Sequence, residues 1–271
     1  MQEGGRRLLV TGASTGMGRA TARHFAEAGY TVFAATRDPD RLADIASGHL
    51  RPVAMDITDP KSVERALGAT EGIDVLVNNA GYGLVSAVEH LDEAQMYAQF
   101  EVNLFGLLRV TRGAIPLMRE RGGGVIVNIS SFLGKVGLPL LTLYNATKYA
   151  VEGVTDSLRH ELAPFGIRVH SVMPGFFDTQ FARANLVTNA DTFAPDSPYA
   201  PLVETLAPRI VEQINGGNDP AEVAALIRTL VEDPHAPARV SAGEKARKFL
   251  PMRRELSDED FERRVREYYG F

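Results

Sequence analysis

Apolar residues along this chain gather in short unbroken runs, and between the runs they return at helical spacing. Residues 7–10, Tyr30 to Ala35, Arg51 to Met55, Ile73 to Val77, Val125 to Ile129 and Ile167 to Met173 read as buried strands, with Arg239 to Ala242 as another. Helical stretches separate them: one stopping at Gly29, a long one from Asp92 to about Arg119, and one from Thr142 to Pro164. A further helix from Pro220 to Asp233 turns Val223, Leu226, Ile227 and Leu230 to one face. This alternation predicts an α/β protein: a doubly wound parallel sheet of about seven strands, helices on both faces, in a single domain. Ligands of such sheets collect at the carboxyl ends of the strands.

The strand ends are where the polar residues of interest fall. The first strand runs into Thr11-Gly12-Ala13-Ser14-Thr15-Gly16-Met17-Gly18 and then a helix. In that setting the turn marks a dinucleotide site: Gly12 permits the tight turn, Gly16 admits a pyrophosphate to the backbone, and Gly18 lets helix and strand pack closely. The second strand ends at Thr36, followed by Arg37 and Asp38. A carboxylate at that tip binds a free ribose 2′-hydroxyl, whereas a guanidinium accommodates a 2′-phosphate. Thr36 and Arg37 therefore favour NADP(H), with NAD(H) the lesser expectation. Asp38 precedes Pro39 and suits a helix cap, the counter-reading being that it takes the ribose. The third strand closes on Asp56-Ile57 and the fourth on Asn78-Asn79-Ala80-Gly81. Asp56 is placed to accept from an adenine amino group, and the Asn78 to Gly81 segment to let backbone pass close to the cofactor; plain turn chemistry is the alternative.

Composition narrows the classes. The chain has 271 residues, 45% hydrophobic and 23% charged, ordinary for one large α/β domain. A net charge of −5 and a pI near 5.7 disfavour nucleic acid and anionic membranes as partners. The absence of cysteine removes disulfides, thiolate metal ligands and thiol nucleophiles. No apolar run reaches signal-peptide or membrane-spanning length, so a soluble cytoplasmic protein is expected. The six histidines show no ligand spacing with carboxylates, and no metal site is expected.

Tyr144-Asn145-Ala146-Thr147-Lys148 puts a phenol and an ammonium on one face of a helix. A free phenol titrates near pH ~10, and a neighbouring cation favours the phenolate, so the pair is capable of acid/base work. A solvated face would give the same spacing. Asn103, amid apolar residues in the long helix, needs partners and is able to distort the backbone and hold a water. Gly12, Gly16 and Gly18, Asn78 to Gly81, Asn103, Ser131, Tyr144, Lys148 and Pro174-Gly175 occur in the order and spacing of the short-chain dehydrogenase/reductase family. The chain resembles that family across about residues 6 to 180, which implies a Rossmann-type NADP-binding catalytic domain over residues 1–243.

The resemblance implies roles. Ser131, thirteen residues before Tyr144, aligns with the family's catalytic serine, with Ser130 as the rival. Tyr144 would exchange a proton with the substrate oxygen, and Ser131 would hold that oxygen. Lys148 would lower the phenol's pKa and bind the nicotinamide ribose, and Asn103 would order a water linking Lys148 to solvent. The loop Pro174-Gly175-Phe176-Phe177-Asp178-Thr179 would cover the nicotinamide, Phe177 by its backbone and Thr179 by holding the cofactor. Residues 176–216, rich in aromatics and proline, read as a substrate lid or as core packing. Tyr82, Leu84, Leu133, Leu138, Leu141, Phe176 and Phe181 would line an apolar substrate pocket with Ser131, or else lie in the core. The expected reaction is hydride transfer to or from a hydrophobic ketone or secondary alcohol, steroid-, retinoid- or polyketide-like. The region around Phe249-Leu250-Pro251 is similar to that of hydroxysteroid and retinol dehydrogenases. Residues 244–271 form a charged helical extension whose last helix starts at the Ser257 cap. Subunit contacts of many relatives use the helices near 92–119 and 142–164, so a homodimer or homotetramer is expected. An epimerase, a dehydratase or a non-catalytic NADP sensor on the same fold are the rival functions.

Overall fold

The computed structural model, which describes residues 5–179 and 185–271, sets the apolar runs side by side as strands. These are β1 (Arg7–Thr11), β2 (Thr31–Thr36), β3 (Leu50–Ala54), β4 (Val75–Asn78), β5 (Gly83–Val85), β6 (Gly124–Ile129), β7 (Ile167–Pro174), β8 (Leu186–Thr188) and β9 (Arg239–Ala242). Seven of them form one sheet in the order β3-β2-β1-β4-β6-β7-β9, and β5 pairs with β8 in a small second sheet. Every pairing in the large sheet is parallel. The chain winds outward from β1 in one direction and from β4 in the other, so the crevice for a ligand opens above the ends of these two strands. A single-domain α/β protein with a seven-stranded parallel sheet is therefore what the alternation of runs produces.

The helices are α1 (Gly16–Glu27), α2 (Pro60–Gly68), α3 (Glu93–Phe100), α4 (Leu107–Glu120), α5 (Thr142–Leu162), α6 (Ala200–Asn215), α7 (Pro220–Glu232), α8 (Gly243–Glu255) and α9 (Asp258–Tyr269). α1 and α7 cover one face of the sheet through Phe25, Val223, Ile227 and Leu230. α2 and α4 cover the other through Val63, Leu67, Val110 and Met118. The two faces of each strand alternate between these cores, with Leu8 and Val10 in the first and Leu9 in the second.

Two expectations change. The single long helix over residues 92–119 is two helices joined by a π-helical turn at Glu101–Gly106, centred on Asn103. Asp92 caps the start, its carboxylate accepting from Gln95 N at 2.6 Å while Gln95 Oε1 accepts from Asp92 N. The segment expected as a lid or irregular excursion contains β8 and α6. Leu206, Ile210 and Ile214 recur at four-residue spacing and are buried, although Pro208 lies between them. α8 and α9 pack into a third apolar cluster in which Phe249, Phe261, Val265 and Tyr269 meet Phe132, Leu133 and Leu206. Ser257 Oγ accepts from Asp260 N at 3.1 Å, the cap that starts α9. No helix among the described residues is long and apolar enough to cross a membrane.

Candidate active site

The turn after β1 is built by its backbone requirements. Gly12 and Gly16 hold φ of +66° and +53°, which side-chain-bearing residues rarely adopt. Gly18 is fixed by space: a Cβ there would stand 2.4 Å from both Asn79 Nδ2 and Gly12 O. Asn79 Nδ2 ties the turn to β4 by donating to Thr11 O at 2.9 Å and Gly12 O at 3.1 Å. Thr11 Oγ1 returns the link, accepting from Asn79 N and Ala80 N. The first turn of α1 carries no acidic residue and its N-cap Thr15 makes no side-chain cap bond, which leaves the helix N-terminus open to an anion.

A cavity of about 540 Å³ runs across these strand ends. Gly12, Ser14, Thr15, Gly16 and Met17 line its middle, and Thr36, Arg37, Asp56 and Ile57 one end. Asn79, Ala80, Gly81, Tyr82, Tyr144, Lys148 and Thr179 line the remainder. Gly18 packs behind the turn rather than lining the cavity. Asp56 is held by Thr58, whose N and Oγ1 donate to Oδ1 at 2.9 and 2.7 Å, and these bonds hold its carboxyl below the usual range, aided by Arg37. Asp38 is not among the lining residues. It occupies the N-cap position of a short 3₁₀ turn at Pro39–Leu42 but makes no side-chain cap bond. That turn brings Arg41 to the cavity beside Arg37. Arg41 was missed; its spacing four residues after Arg37 was the available signal.

Tyr144 lies where this cavity meets a second, apolar one of about 70 Å³. Ser131, at the end of β6, is hydrogen-bonded with Tyr144 and its Oγ also accepts from Leu133 N at 3.1 Å. Lys148 is buried, donates to Ile129 O at 2.8 Å and stands 5.6 Å from the Tyr144 ring centroid. The phenol is raised, where the neighbouring cation implied a lowering. Burial pushes Tyr144 up to about 12, opposed by the bond with Ser131, and pushes Lys148 down to about 8, opposed by Glu152. Asn103 lies behind the site. Its Oδ1 accepts from Tyr82 N at 3.0 Å, and its Nδ2 donates to Tyr82 O at 2.8 Å and Thr147 Oγ1 at 3.1 Å. The amide thus anchors the Tyr82 loop to α5, leaving one lone pair of Oδ1 for any water.

Ser131, Leu133, Leu141, Tyr144 and Phe176 line the apolar cavity, and Pro174, Gly175, Phe177 and Thr179 form its wall on the β7 side. Pro174, Gly175 and Phe177, expected at the nicotinamide, line this cavity rather than the larger one. Leu84 and Leu138 line neither and are core residues. On β5 the flanking Gly83 faces the cavity, so strand alternation turns Leu84 away. Leu138 is spent at the start of α5, where its carbonyl accepts from Asn145 Nδ2 at 3.0 Å. Tyr82 belongs to the larger cavity, and Phe181 lies outside the described residues. Phe132, Leu186, Ile210 and Ile214 also line the apolar cavity and were missed, the last three because α6 and β8 reach it only through tertiary packing. Ser130, the rival serine, lines both cavities with a buried hydroxyl that has no partner among the described residues.

Residues 6–189 match the family model described as short chain dehydrogenase. The chain is 35% identical over 238 residues to the uncharacterized oxidoreductase YusZ of Bacillus subtilis, 84% of this chain and 85% of that one. It is 32% identical over 240 residues to a 3-ketodihydrosphingosine reductase of Bacteroides thetaiotaomicron, 87% of each. A short-chain dehydrogenase structure from Streptomyces avermitilis superposes with a TM-score of 0.83 at 34% identity, covering 99% of this chain and 97% of that one. One from Burkholderia cenocepacia in complex with NADP gives 0.76 at 28% identity and 99% coverage of both. A 3-ketoacyl-(acyl-carrier-protein) reductase from Brucella melitensis complexed with NADH gives 0.72 at 27%, covering 88% and 96%. The chain belongs to the short-chain dehydrogenase/reductase family and is an oxidoreductase of that family.

Proposed function

We propose that the protein is an NADP(H)-dependent oxidoreductase that interconverts a hydrophobic ketone and its secondary alcohol. One observation carries this reading: Tyr144, bonded with Ser131, stands at the junction of the large cavity over the strand ends and an apolar one. The large cavity fits a dinucleotide with an extra phosphate. It offers the open N-terminus of α1 under the positive-φ glycines, and at the far end Arg37 and Arg41, neither with a side-chain bonding partner among the described residues. When bound, the nicotinamide supplies or takes the hydride.

The protein's own residues handle the oxygen and the proton. A carbonyl oxygen entering from the apolar side meets the Tyr144 hydroxyl and Ser131 Oγ. Tyr144, protonated at neutral pH because burial holds its phenol near about 12, gives its proton to that oxygen as the hydride arrives; oxidation runs the transfer in reverse. Lys148, its Nζ 5.6 Å from the ring centroid, is the cation that stabilises the phenolate left behind. Asn103 fixes the Tyr82 loop and α5 in register.

Leu133, Leu141, Phe176, Leu186, Ile210 and Ile214 recommend an apolar substrate. The 70 Å³ they enclose is below the ~300 Å³ usual for a ligand pocket, so a steroid-, retinoid- or long-chain-sized ketone requires their wall to move. The relative named for 3-ketodihydrosphingosine supports a long-chain ketone. The NADH-bound structure keeps NAD(H) as the second reading. A panel of hydrophobic ketones and alcohols with NADPH and NADH, followed at the nicotinamide absorbance, tests both. Tyr144→Phe is expected to lose nearly all turnover and still bind NADPH; retained turnover refutes the assignment. Turnover without net consumption of cofactor would point to an epimerase or dehydratase.

A further inference from the structure

α5 carries more than the tyrosine and the lysine along the line that they define. Tyr144, Lys148, Glu152 and Asp156 follow one another at four-residue spacing and so form one stripe along the helix. Glu152 is only 1% exposed, and a carboxylate so deep is costly unless it is paired and bonded. Its partners come from two strands. Ser171 Oγ on β7 donates to Oε1 at 2.5 Å, and Arg239 Nε on β9 donates to Oε2 at 2.5 Å. Arg239 also bridges Asp156, so one guanidinium from the last strand grips the lower two members of the stripe. The upper end of the stripe is the catalytic end, where Lys148 is withdrawn from solvent with Ile129 O as its bonding partner.

We propose that Glu152 is a positioning residue: locked by Ser171 and Arg239, it is the fixed counter-charge that holds Lys148 as an ammonium beneath Tyr144. This rests on the acid/base reading of Tyr144 and Lys148 given above. Lys148 faces the Tyr144 ring and the charge of Glu152 on its own helix, while Arg239 from β9 and Asp156 reach it only through Glu152. Glu152 is the near carboxylate among them and raises the lysine's proton affinity against the burial that lowers it. Arg239 attenuates that charge. The two residues therefore have opposite electrostatic effects on Lys148, although as structural clamps their losses would act alike.

The test uses that difference. The chain has five lysines, few enough for ¹³C-labelled lysine side chains to be followed by NMR, with Lys148→Met identifying the signal. Glu152→Gln is expected to move the Lys148 titration down by on the order of one pH unit. Arg239→Met, which leaves the carboxylate unshielded, is expected to move it up. Shifts of the same sign, or none, overturn the proposal. Arg239 is half-buried on an edge strand, so its variant remains informative if Glu152→Gln fails to fold: a fall or no change in the Lys148 titration then overturns the proposal by itself. The pH profile of ketone reduction is read on the same variants. Opposite NMR shifts beside an unmoved profile would sustain the counter-charge and refute the acid/base reading on which it was built.

Discussion

Replacing Lys148 by Met removes a cation that the fold has taken out of water, and the structure says how that should change stability with pH. Burial holds the ammonium at about 8 against an ordinary 10.5. The sign follows from proton binding. Between those two values the unfolded chain keeps a proton on this lysine that the folded chain has lost, so the wild-type protein gains stability as pH rises through this window. Below pH 8 both states are protonated and the folded state bears the cost of the buried charge; above 10.5 neither is. Integrating from pH 7 to pH 10 gives roughly 2 to 3 kcal/mol of stability gained by the wild type and not by Lys148→Met.

The comparison is made as a difference of differences, which matters because the substitution also strips Ile129 O of its donor. That loss is the same at both pH values and cancels, as do the titrations of the other lysines. Tyr144 does not intrude, since its phenol, raised by burial to about 12, moves in the opposite sense and only above about pH 10. Urea unfolding of wild type and Lys148→Met at pH 7, 8, 9 and 10 measures the gap. A parallel pair of stability curves, with no relative gain for the wild type, would mean that Lys148 is well solvated in the folded protein and that the burial argument is wrong.

Three further outcomes are expected. Arg37→Ala should raise KM for NADPH by about 10- to 100-fold, the worth of one charge-assisted bond, while KM for NADH stays within about threefold; equal losses would remove Arg37 from the phosphate site. Gly18→Ala should destabilise the protein by about 1 to 3 kcal/mol, since its Cβ would meet Asn79 Nδ2 and Gly12 O at 2.4 Å, and a midpoint unchanged in urea would contradict the close packing. Phe249→Ala should cost roughly 3 to 5 kcal/mol by opening a void behind Phe132, whose ring lies 6.1 Å away, and should raise KM for a hydrophobic ketone more than KM for NADPH, as steady-state kinetics would show.

What could be read from the residues alone was whatever depends on local backbone demands. Gly12 and Gly16 announce positive φ, Ser257 announces a cap, and the strand runs announce a buried parallel sheet. The four-residue interval between Tyr144 and Lys148 places them on one helix face whatever they pack against. What escaped needed three dimensions. α6 was hidden because Pro201 and Pro208 look like loop residues, although Leu206, Ile210 and Ile214 carry the helical period. Leu84 was assigned to the pocket for its hydrophobicity, but the register of β5 turns it into the core. Arg41 reaches the cofactor cavity only because Pro39 starts a 3₁₀ turn. The ring series Phe176, Phe132, Phe249 and Tyr269 joins the pocket to the last helix across more than ninety residues of sequence, and no local pattern foretells it.

The departure of most chemical consequence is the sign of the tyrosine's shift. Spacing alone sets a cation next to a phenol and so implies an acidic phenol. Folding sets both in the interior, where desolvation acts on each and pushes them toward their neutral forms: Tyr144 toward keeping its proton, Lys148 toward losing one. With the phenol raised to about 12, Tyr144 keeps its proton at neutral pH. On the proposed reading Tyr144 then rests in the acid form that reduction of a carbonyl uses, and the reverse reaction draws on its phenolate. The site retains a way to move this balance, because the charge that stabilises a phenolate belongs to Lys148, and the charge that keeps Lys148 an ammonium belongs to Glu152. On the proposed reading, the pH dependence of turnover, not the position of the equilibrium, is then set along one face of α5, by how much positive charge Lys148 and Glu152 leave beneath the tyrosine.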